Sequence, residues 1–431
     1  MKKMMMTLGI LMSAMSTVAQ EENQFTIDAQ LRTRGEYNNG AGYPRSEGQS
    51  PATFINERAR ISMDYQRGAM ELKVSAQHTG FWGQDGMNTA NGRMTMNEAW
   101  AKLNIGENWY VQIGRQQLVY DDERILGSSD WNVNGNWHDA LRLGYEKGAN
   151  KLDMILALNQ NGVRRGDYYE HVMPYKAMQG LWYHYQSPKA PLGISLLALN
   201  TGYEQGEPKH GKTKYMQTLG TDITYKPNAW DLHGAFYYQM GYNAADLKVS
   251  TCMASVKAGY QVDSKWKVSL GIDYLEGEDY VGGSTDRMGN VTLYKNYDDR
   301  TRTFNPLYGS HHLFYGFMDY FYANTFVNGF EPGLGDLQLG VDYQASKKTK
   351  MLLNYHYFTT ASDCLDEREL GHEIDLQFTT TLMKDVTLMG GYSVMKGSKS
   401  MDIVKGGNRG SWQDWAWISL NINPRVFFVK W

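Results

Sequence analysis

The sequence predicts an all-β fold: a single transmembrane antiparallel β-barrel of about 18 strands, with short periplasmic turns and long extracellular loops. Three observations carry that prediction. The chain opens with a secretory leader, it alternates apolar and polar residues with period two, and its connections alternate between short and long.

The leader comes first. Lys2 and Lys3 form a positive start, Met4 to Val18 a short and mostly apolar core, and Thr17-Val18-Ala19 a small-residue cleavage site before Gln20-Glu21-Glu22. Residues 1–19 therefore read as a secretory signal peptide, and 20–431 as the barrel. No Cys follows the core, which argues against a lipoprotein anchor. Composition agrees with many strands and turns: 30 Tyr, 12 Trp and 45 Gly against only 10 Pro. A mean hydropathy of -0.54 argues against apolar helical spans. A barrel escapes that test because only alternate residues meet lipid.

The alternation is explicit. Phe25, Ile27, Ala29 and Leu31 share one face of the first segment, and Asp28, Gln30, Arg32 and Arg34 the other. Ala59, Ile61 and Met63 oppose Arg58, Arg60, Ser62 and Asp64. After the Arg67-Gly68 turn, Met70, Leu72 and Val74 oppose Glu71, Lys73 and Ser75. Late in the chain Ile374, Leu376 and Phe378 oppose Glu373, Asp375 and Gln377. One face suits lipid and the other water.

Short turns recur at 106–107, 148–149, 188–190, 227–228, 263–265, 346–347 and 384–385. Longer polar loops lie near 38–51, 83–92, 119–136, 161–176, 204–212, 278–332, 361–369 and 398–410. A soluble sandwich has no reason to keep its turns short at one end only, so the asymmetry favours a barrel in the outer membrane. Its surroundings would then be outer-membrane lipid and lipopolysaccharide. Pro424 is expected to break the last strand near Ile422 and leave 424–431 as a short periplasmic tail. The terminal aromatics Phe427, Phe428 and Trp431 suit reading by the barrel assembly machinery.

Function should lie on the inward face, where charges meet water. Arg32 and Arg34, with Arg58 and Arg60 on the next strand, are expected to form one patch, because paired strands lie about 4.8 Å apart. Lys73 follows. Such a patch concentrates anions and grips carboxylates; equally, it can belong to an internal salt-bridge lattice with Asp28, Asp64, Glu71 and Glu98. Both readings stand at this point.

The densest stretch runs from Asn97-Glu98-Ala99-Trp100 through Gly114-Arg115-Gln116 and Tyr120 to Arg124, then Gly127 to Trp131 and Trp137 to Arg142. It resembles the alginate-export family of outer-membrane porins, with an Arg-rich early strand, a GRQ element, a D-x-R-x-x-G…DW loop and a D-A-x-R-L strand. A second element, Phe304 to His312 continuing to Asp319, is similar to the family within the longest loop. The resemblance implies an 18-stranded barrel passing a polyanionic polysaccharide through an electropositive constriction, with secretion partners in the periplasm. On that basis Arg58, Arg60, Arg115 and Arg142 are expected in the selectivity zone, and Asp122, Arg124, Asp130 and Asp139 in a loop folded over or into the lumen. Arg115 has the lipid-facing parity of Trp109, Val111 and Ile113, so either a bulge reorients it or it does not belong to the zone. The mature chain is mildly acidic, so positive potential in the lumen has to be local.

Other classes fare worse. No G-x-S-x-G elbow or H-E-x-x-H site appears, and His311 and His312 point apart if extended, which leaves no enzyme, metal or cofactor reading. Near-neutral charge gives no support for nucleic-acid binding. Cys252 and Cys364 are too few for a disulfide framework, and their pairing is open. Most of Trp82, Trp100, Trp131, Trp137, Trp412, Trp415 and Trp417 are expected in a girdle at the membrane interface, the alternative being stacking against sugar rings. The leading expectation is a passive channel for anionic saccharides or similar acidic solutes. The alternative is a structural or adhesive barrel with a plugged lumen.

Overall fold

A computed structural model describes residues 23–85, 93–163, 166–170, 172–278, 280–285, 291–295, 300–327, 329–363 and 365–431. Residues 1–19, read as a secretory leader, lie outside them. The first strands are β1 (Gln24–Asn39), β2 (Ala52–Arg67), β3 (Met70–Phe81), β4 (Arg93–Ile105), β5 (Trp109–Gln116), β6 (His138–Lys147) and β7 (Asn150–Leu158). Then come β8 (Ala177–Gln186), β9 (Leu192–Gln205), β10 (Lys212–Tyr225), β11 (Trp230–Tyr242), β12 (Lys248–Gln261) and β13 (Trp266–Leu275). Three short pieces, β14 (Tyr280–Thr285), β15 (Val291–Lys295) and β16 (Arg300–Thr301), belong to the longest loop. The wall resumes with β17 (Leu334–Gln344), β18 (Thr349–Thr359), β19 (Glu369–Met383), β20 (Val386–Gly397) and β21 (Gln413–Ile422).

Each wall strand pairs antiparallel with the next, β13 pairs with β17, and β1 closes on β21 from Leu31↔Ile422 to Asn39↔Asp414. Among the described residues this makes one closed barrel of eighteen strands. No described helix is long and apolar enough to cross a membrane. The predicted alternation of connections is present. Two-residue turns join β2 to β3 and β6 to β7, where Gly68 and Gly148 take positive φ (53° and 56°), as a tight hairpin requires. The loops lie at the other end. The reading of the sequence passed over the short loop 243–247.

The end of the chain departs from expectation. Residues 424–431 are not a detached tail. Pro424 interrupts the ladder because it has no N–H, yet its carbonyl still accepts from Ala29 N at 3.0 Å. The chain then resumes as β22 (Arg425–Lys430), which pairs with β1 from Asp28↔Arg425 to Gln24↔Lys430. The Phe427 ring meets Phe25 at 6.0 Å. Two consecutive strand segments thus seal the seam.

The outer face is apolar and open, as with Val256 (66% exposed) and Ile61 (57%). At the short-turn end, cross-strand pairs Trp109–Tyr145 and Trp230–Tyr260 pack tilted with ring centroids at 4.7 and 4.8 Å, and Trp266–Tyr343 stacks at 4.2 Å. These form an interfacial girdle.

The interior is not uniformly wet. From β7 to β13 the inward residues include Ile155, Met178, Leu197, Leu199, Met216, Tyr237, Met253 and Leu275, all buried. They pack against loop residues Leu118, Ile125, Leu126, Phe304, Met318 and Phe321. The segment Ile194 to Leu199 is apolar on both faces apart from Ser195, because Leu196 meets lipid while Leu197 and Leu199 meet the inserted loops. Burying those inward side chains contributes on the order of 1.5–3 kcal/mol each before ordering costs. The core of this barrel sits inside it.

Candidate functional site: the loop-filled lumen

Two loops, 117–137 and 302–333, enter the lumen and dock on each other. Leu126 and Tyr308 form a parallel bridge, with Tyr308 N donating to Ile125 O and Gly127 N to Tyr308 O, both at 3.0 Å. The Glu123 carboxylate gathers Ser128 N (2.8 Å), Ser128 Oγ (2.9 Å) and Ser310 Oγ (2.5 Å). Gly309 is dictated by close approach, since a Cβ there would lie 2.3 Å from Arg124 O. The two sequence elements that carry the family resemblance are therefore one structural unit.

Arg124 bolts this unit to the wall. Its guanidinium reaches Asp122 Oδ2 at 3.0 Å, Asp273 Oδ1 at 3.1 Å, the Tyr315 hydroxyl at 3.1 Å and Ser255 Oγ at 3.0 Å, and lies over the Phe314 ring at 4.1 Å. Burial alone would favour the neutral form, but Asp273 and Asp122 outweigh it and hold the pKa well above the ordinary arginine value. Arg124 and Asp122 are thus loop anchors, with their charges already spent. Asp122, Asp222 and His233 also bring possible ligand atoms within 4.8 Å of one another. Asp122 is held by Arg124, however, and His233 Nε2 lies 2.5 Å from Asp222 Oδ2.

A second clamp uses acids that the sequence reading placed inward without a role. Glu373 and Asp375 on β19 are fully buried; Glu373 accepts from Met318 N at 2.8 Å and Asp375 from Phe317 N at 3.3 Å. His356 on β18 lies 3.0 Å from Asp336 on β17 and 3.6 Å from Asp375. Period-two reading gives the parity of such residues, but the loop amides that satisfy them are about 55 residues away in sequence.

The opposite chemistry lines β1 and β2. The register places Arg32 directly across from Arg58, and Gln30 across from Arg60. Like charges in that position repel, and the loop supplies what holds them. Asp130 offers Oδ1 to Arg58 Nη2 at 2.8 Å and Oδ2 to Arg32 Nη1 at 3.3 Å. Arg32 also donates to the carbonyls of Asp130, Trp131 and Asn132 (2.6, 3.4 and 3.3 Å). Arg34 donates to Glu36 at 2.8 Å and to Trp131 O at 3.0 Å. Arg60 makes both its hydrogen bonds to Gln77 Oε1, at 2.9 and 2.6 Å, and among the described residues no carboxylate lies within ion-pairing distance of it. Four guanidinium groups have two carboxylates, Asp130 and Glu36, within ion-pairing distance, and Glu98 acts on Arg60 from farther away.

The other predicted residues divide. Lys73 belongs to the salt-bridge lattice, 3.1 Å from Glu98 and 3.9 Å from Asp64. Arg142 faces inward, 3.6 Å from Asp153 and over the Tyr110 ring at 5.2 Å, and Asp153 also accepts from the Tyr110 and Tyr120 hydroxyls (2.6 and 2.8 Å). Arg115 and Asp139 do not line the lumen. Although Gly114 has φ +122°, the alternation carries through it: Gln112 and Gln116 are buried inward while Arg115 stays on the outer face. There it forms a bidentate pair with Asp139, directly across the ladder, at 2.9 and 2.9 Å. Both fall out of the selectivity zone, into the rim at the loop end.

The tryptophan expectation is corrected for four rings. Trp131, Trp415 and Trp417 are inside, not in a girdle. Arg34 stacks on Trp131 at 3.9 Å, and His312 stacks on Trp131 at 4.2 Å with planes 9° apart. Trp415 Nε1 donates to Glu36 at 3.0 Å, and His312 Nδ1 lies 2.9 Å from both Asp319 oxygens. Trp100 also faces inward, its Nε1 donating to Glu98 at 3.1 Å. Cys252 is a free thiol among the described residues; Cys364 lies outside them.

Comparison with known proteins follows from this geometry. The alginate export family matches residues 23–397, which include both docked loops and the arginine strands. The chain belongs to the alginate export family. Among curated proteins none matches. Solved structures share the architecture of this alginate-export barrel at low identity. OccAB1 of Acinetobacter baumannii superposes with a TM-score of 0.62 at 13% identity, covering 94% of this chain and 97% of that one. OccK9 (OpdG) of Pseudomonas aeruginosa gives 0.60 at 12% identity, covering 93% and 98%. OccK2 (OpdF) of the same organism, solved in complex with glucuronate, gives 0.57 at 12%, covering 94% and 98%. The protein is an outer-membrane β-barrel of a channel-forming family.

Proposed function

We propose that this alginate-export barrel passes anionic solutes, above all carboxylate-bearing saccharides, by passive diffusion along the polar wall formed by β1 to β4. One observation carries the reading: the four arginines on β1 and β2 have only Asp130 and Glu36 within ion-pairing distance, and Arg60 has no carboxylate that close among the described residues, Asp130 and Glu98 acting on it from farther away. A local positive excess within a lumen concentrates anions even though the chain as a whole is acidic. The packed interior of β7 to β13 supports the placement, because it leaves the polar wall as the face that water can wet. A structure of OccK2 with bound glucuronate agrees in chemical class. The cargo would be an acidic oligo- or polysaccharide; secretion partners in the periplasm and the assembly machinery belong to the same reading through the family.

The reversal potential of single channels in a salt gradient tests it. Wild type is expected to prefer chloride over potassium, and Arg60→Glu to lower that preference about threefold or more. Cation preference in wild type, or selectivity unchanged by Arg60→Glu, contradicts the reading. A plugged, structural barrel is the second reading, favoured by the loop-filled half of the interior. An electrically silent protein that stays silent when loop 117–137 is removed would decide for it.

A further inference from the structure

Arg58 and Arg115 meet a carboxylate in different ways. Arg115, on the outer face, takes both oxygens of Asp139 in a fork at 2.9 Å each. Arg58, its whole side chain buried and its Nε donating to Gln30 Oε1 at 2.9 Å, takes one oxygen of Asp130, and the other goes to Arg32 at a longer 3.3 Å. The Arg58 Nη1 donor is buried and has no hydrogen-bond partner. A guanidinium fork is best satisfied by two parallel bonds to one carboxylate, so Asp130 under-fills the place it occupies. The chain restrains it, because its own carbonyl and the next two are also held by Arg32. The Asp130 side chain is 55% exposed although both its partners are sealed into the wall. It lies between the lumen and the arginines, on a loop and not on the wall.

We propose that Asp130 is a tethered stand-in for the cargo: its carboxylate occupies the Arg32–Arg58 position that a uronate carboxylate takes during passage, and cargo exchanges with it. This rests on the anionic reading of the channel and deepens it by naming the position and the competing group. The register explains why a stand-in is needed. Two arginines directly opposite on paired strands repel when nothing lies between them, and an empty position would cost stability. A weakly held internal carboxylate keeps the strands paired and yields to a better-fitting ligand. Binding is thereby kept loose enough for release, which a channel needs.

The test uses the full-length barrel in planar bilayers, with sodium glucuronate as probe and glucose as the neutral control. The readout is the concentration that halves the open-channel current. Removing a tethered competitor should lower that concentration for glucuronate about tenfold in Asp130→Asn, with glucose unchanged. Asp130→Glu, which keeps the charge, should stay within about twofold of wild type. Equal glucuronate block in wild type and Asp130→Asn, or weaker block in the variant, overturns the inference. So does a change shared by glucuronate and glucose, which would mean that the loop had only loosened. If glucuronate blocks no better than glucose in wild type and in both variants, the anionic reading itself fails, a result distinct from the others.

Discussion

The two halves of the lumen are built on opposite rules. Along β1 to β4 the inward residues are almost all polar or charged, Trp100 excepted, and the loop that meets them touches with carbonyls, one exposed carboxylate, the Asn134 side chain and the Trp131 ring. Along β7 to β13 they include a buried apolar set, Ile155, Met178, Leu197, Leu199, Met216, Tyr237, Met253 and Leu275, beside buried polar groups such as Thr201, Gln239 and Asp273, and the loops that meet the apolar set pack with it as a hydrophobic core. The difference separates two tasks that a porin lumen must perform. The dry half fixes the loops by area and buried ion pairs, so that the wet half can keep its charges only partly satisfied. The proposed selectivity is located where packing is absent.

That contrast breaks most severely at Arg124. Arg124→Met leaves Asp122 and Asp273, both largely buried, without their cation, and losing one member of a buried pair costs about 3–5 kcal/mol. The loop unit should detach from the dry half while the barrel itself persists. Protease cleavage within 117–137 and single-channel conductance should both rise. Unchanged cleavage and conductance would show that apolar packing alone holds the loops.

A smaller effect sharpens the same contrast at the edge of the loop core. Helix α1 (Lys399–Lys405), capped by Ser398 Oγ accepting from Met401 N, buries Lys405 near Phe321 and Phe326, where its ammonium donates to Thr325 O at 2.8 Å. Burial pushes the Lys405 pKa down to about 8. The docked lysine thus gives up its proton more readily than the undocked one. Between about pH 8 and the usual lysine value near 10.4 the undocked segment holds more protons, so docking strengthens as pH rises through that window. Amide exchange over 399–405, corrected for intrinsic rate, should slow several-fold between about pH 7 and about pH 10 in wild type. In Lys405→Met it should not change with pH. Exchange that quickens with pH in wild type would reverse the sign.

Much of this was legible in the sequence, for definable reasons. Period two gave the inward parity of Arg32, Arg34, Arg58 and Arg60, and turn lengths gave the strand count, because both are local properties. It also gave the lipid-facing parity of Arg115, which a family motif alone would have misplaced. The dry half was present in Ile194 to Leu199, whose apolar run needs both faces covered; what covers it comes from about 70–80 residues earlier in the chain, at 118–126, and more than 100 residues later, at 304–321. Trp415 and Trp417 have the inward parity of Gln413 and Ser419, opposite lipid-facing Ile418, so period two does place them inside, whereas Trp131 is turned inward only by the docking of its loop against β1 and β21. β22 was hidden by Pro424, which breaks a hydrogen-bonded ladder without ending the strand direction.

On the proposed reading the passage runs along the polar wall and not through the loop core. In a protein with Cys252→Ser and Cys364→Ser, single cysteines at Ser62 on the wet side and Leu199 on the dry side test it directly. A charged methanethiosulfonate reagent added to an open channel should cut the current stepwise in Ser62→Cys and leave Leu199→Cys untouched. Block at Leu199→Cys with none at Ser62→Cys would place the passage on the other side of the barrel and contradict the account.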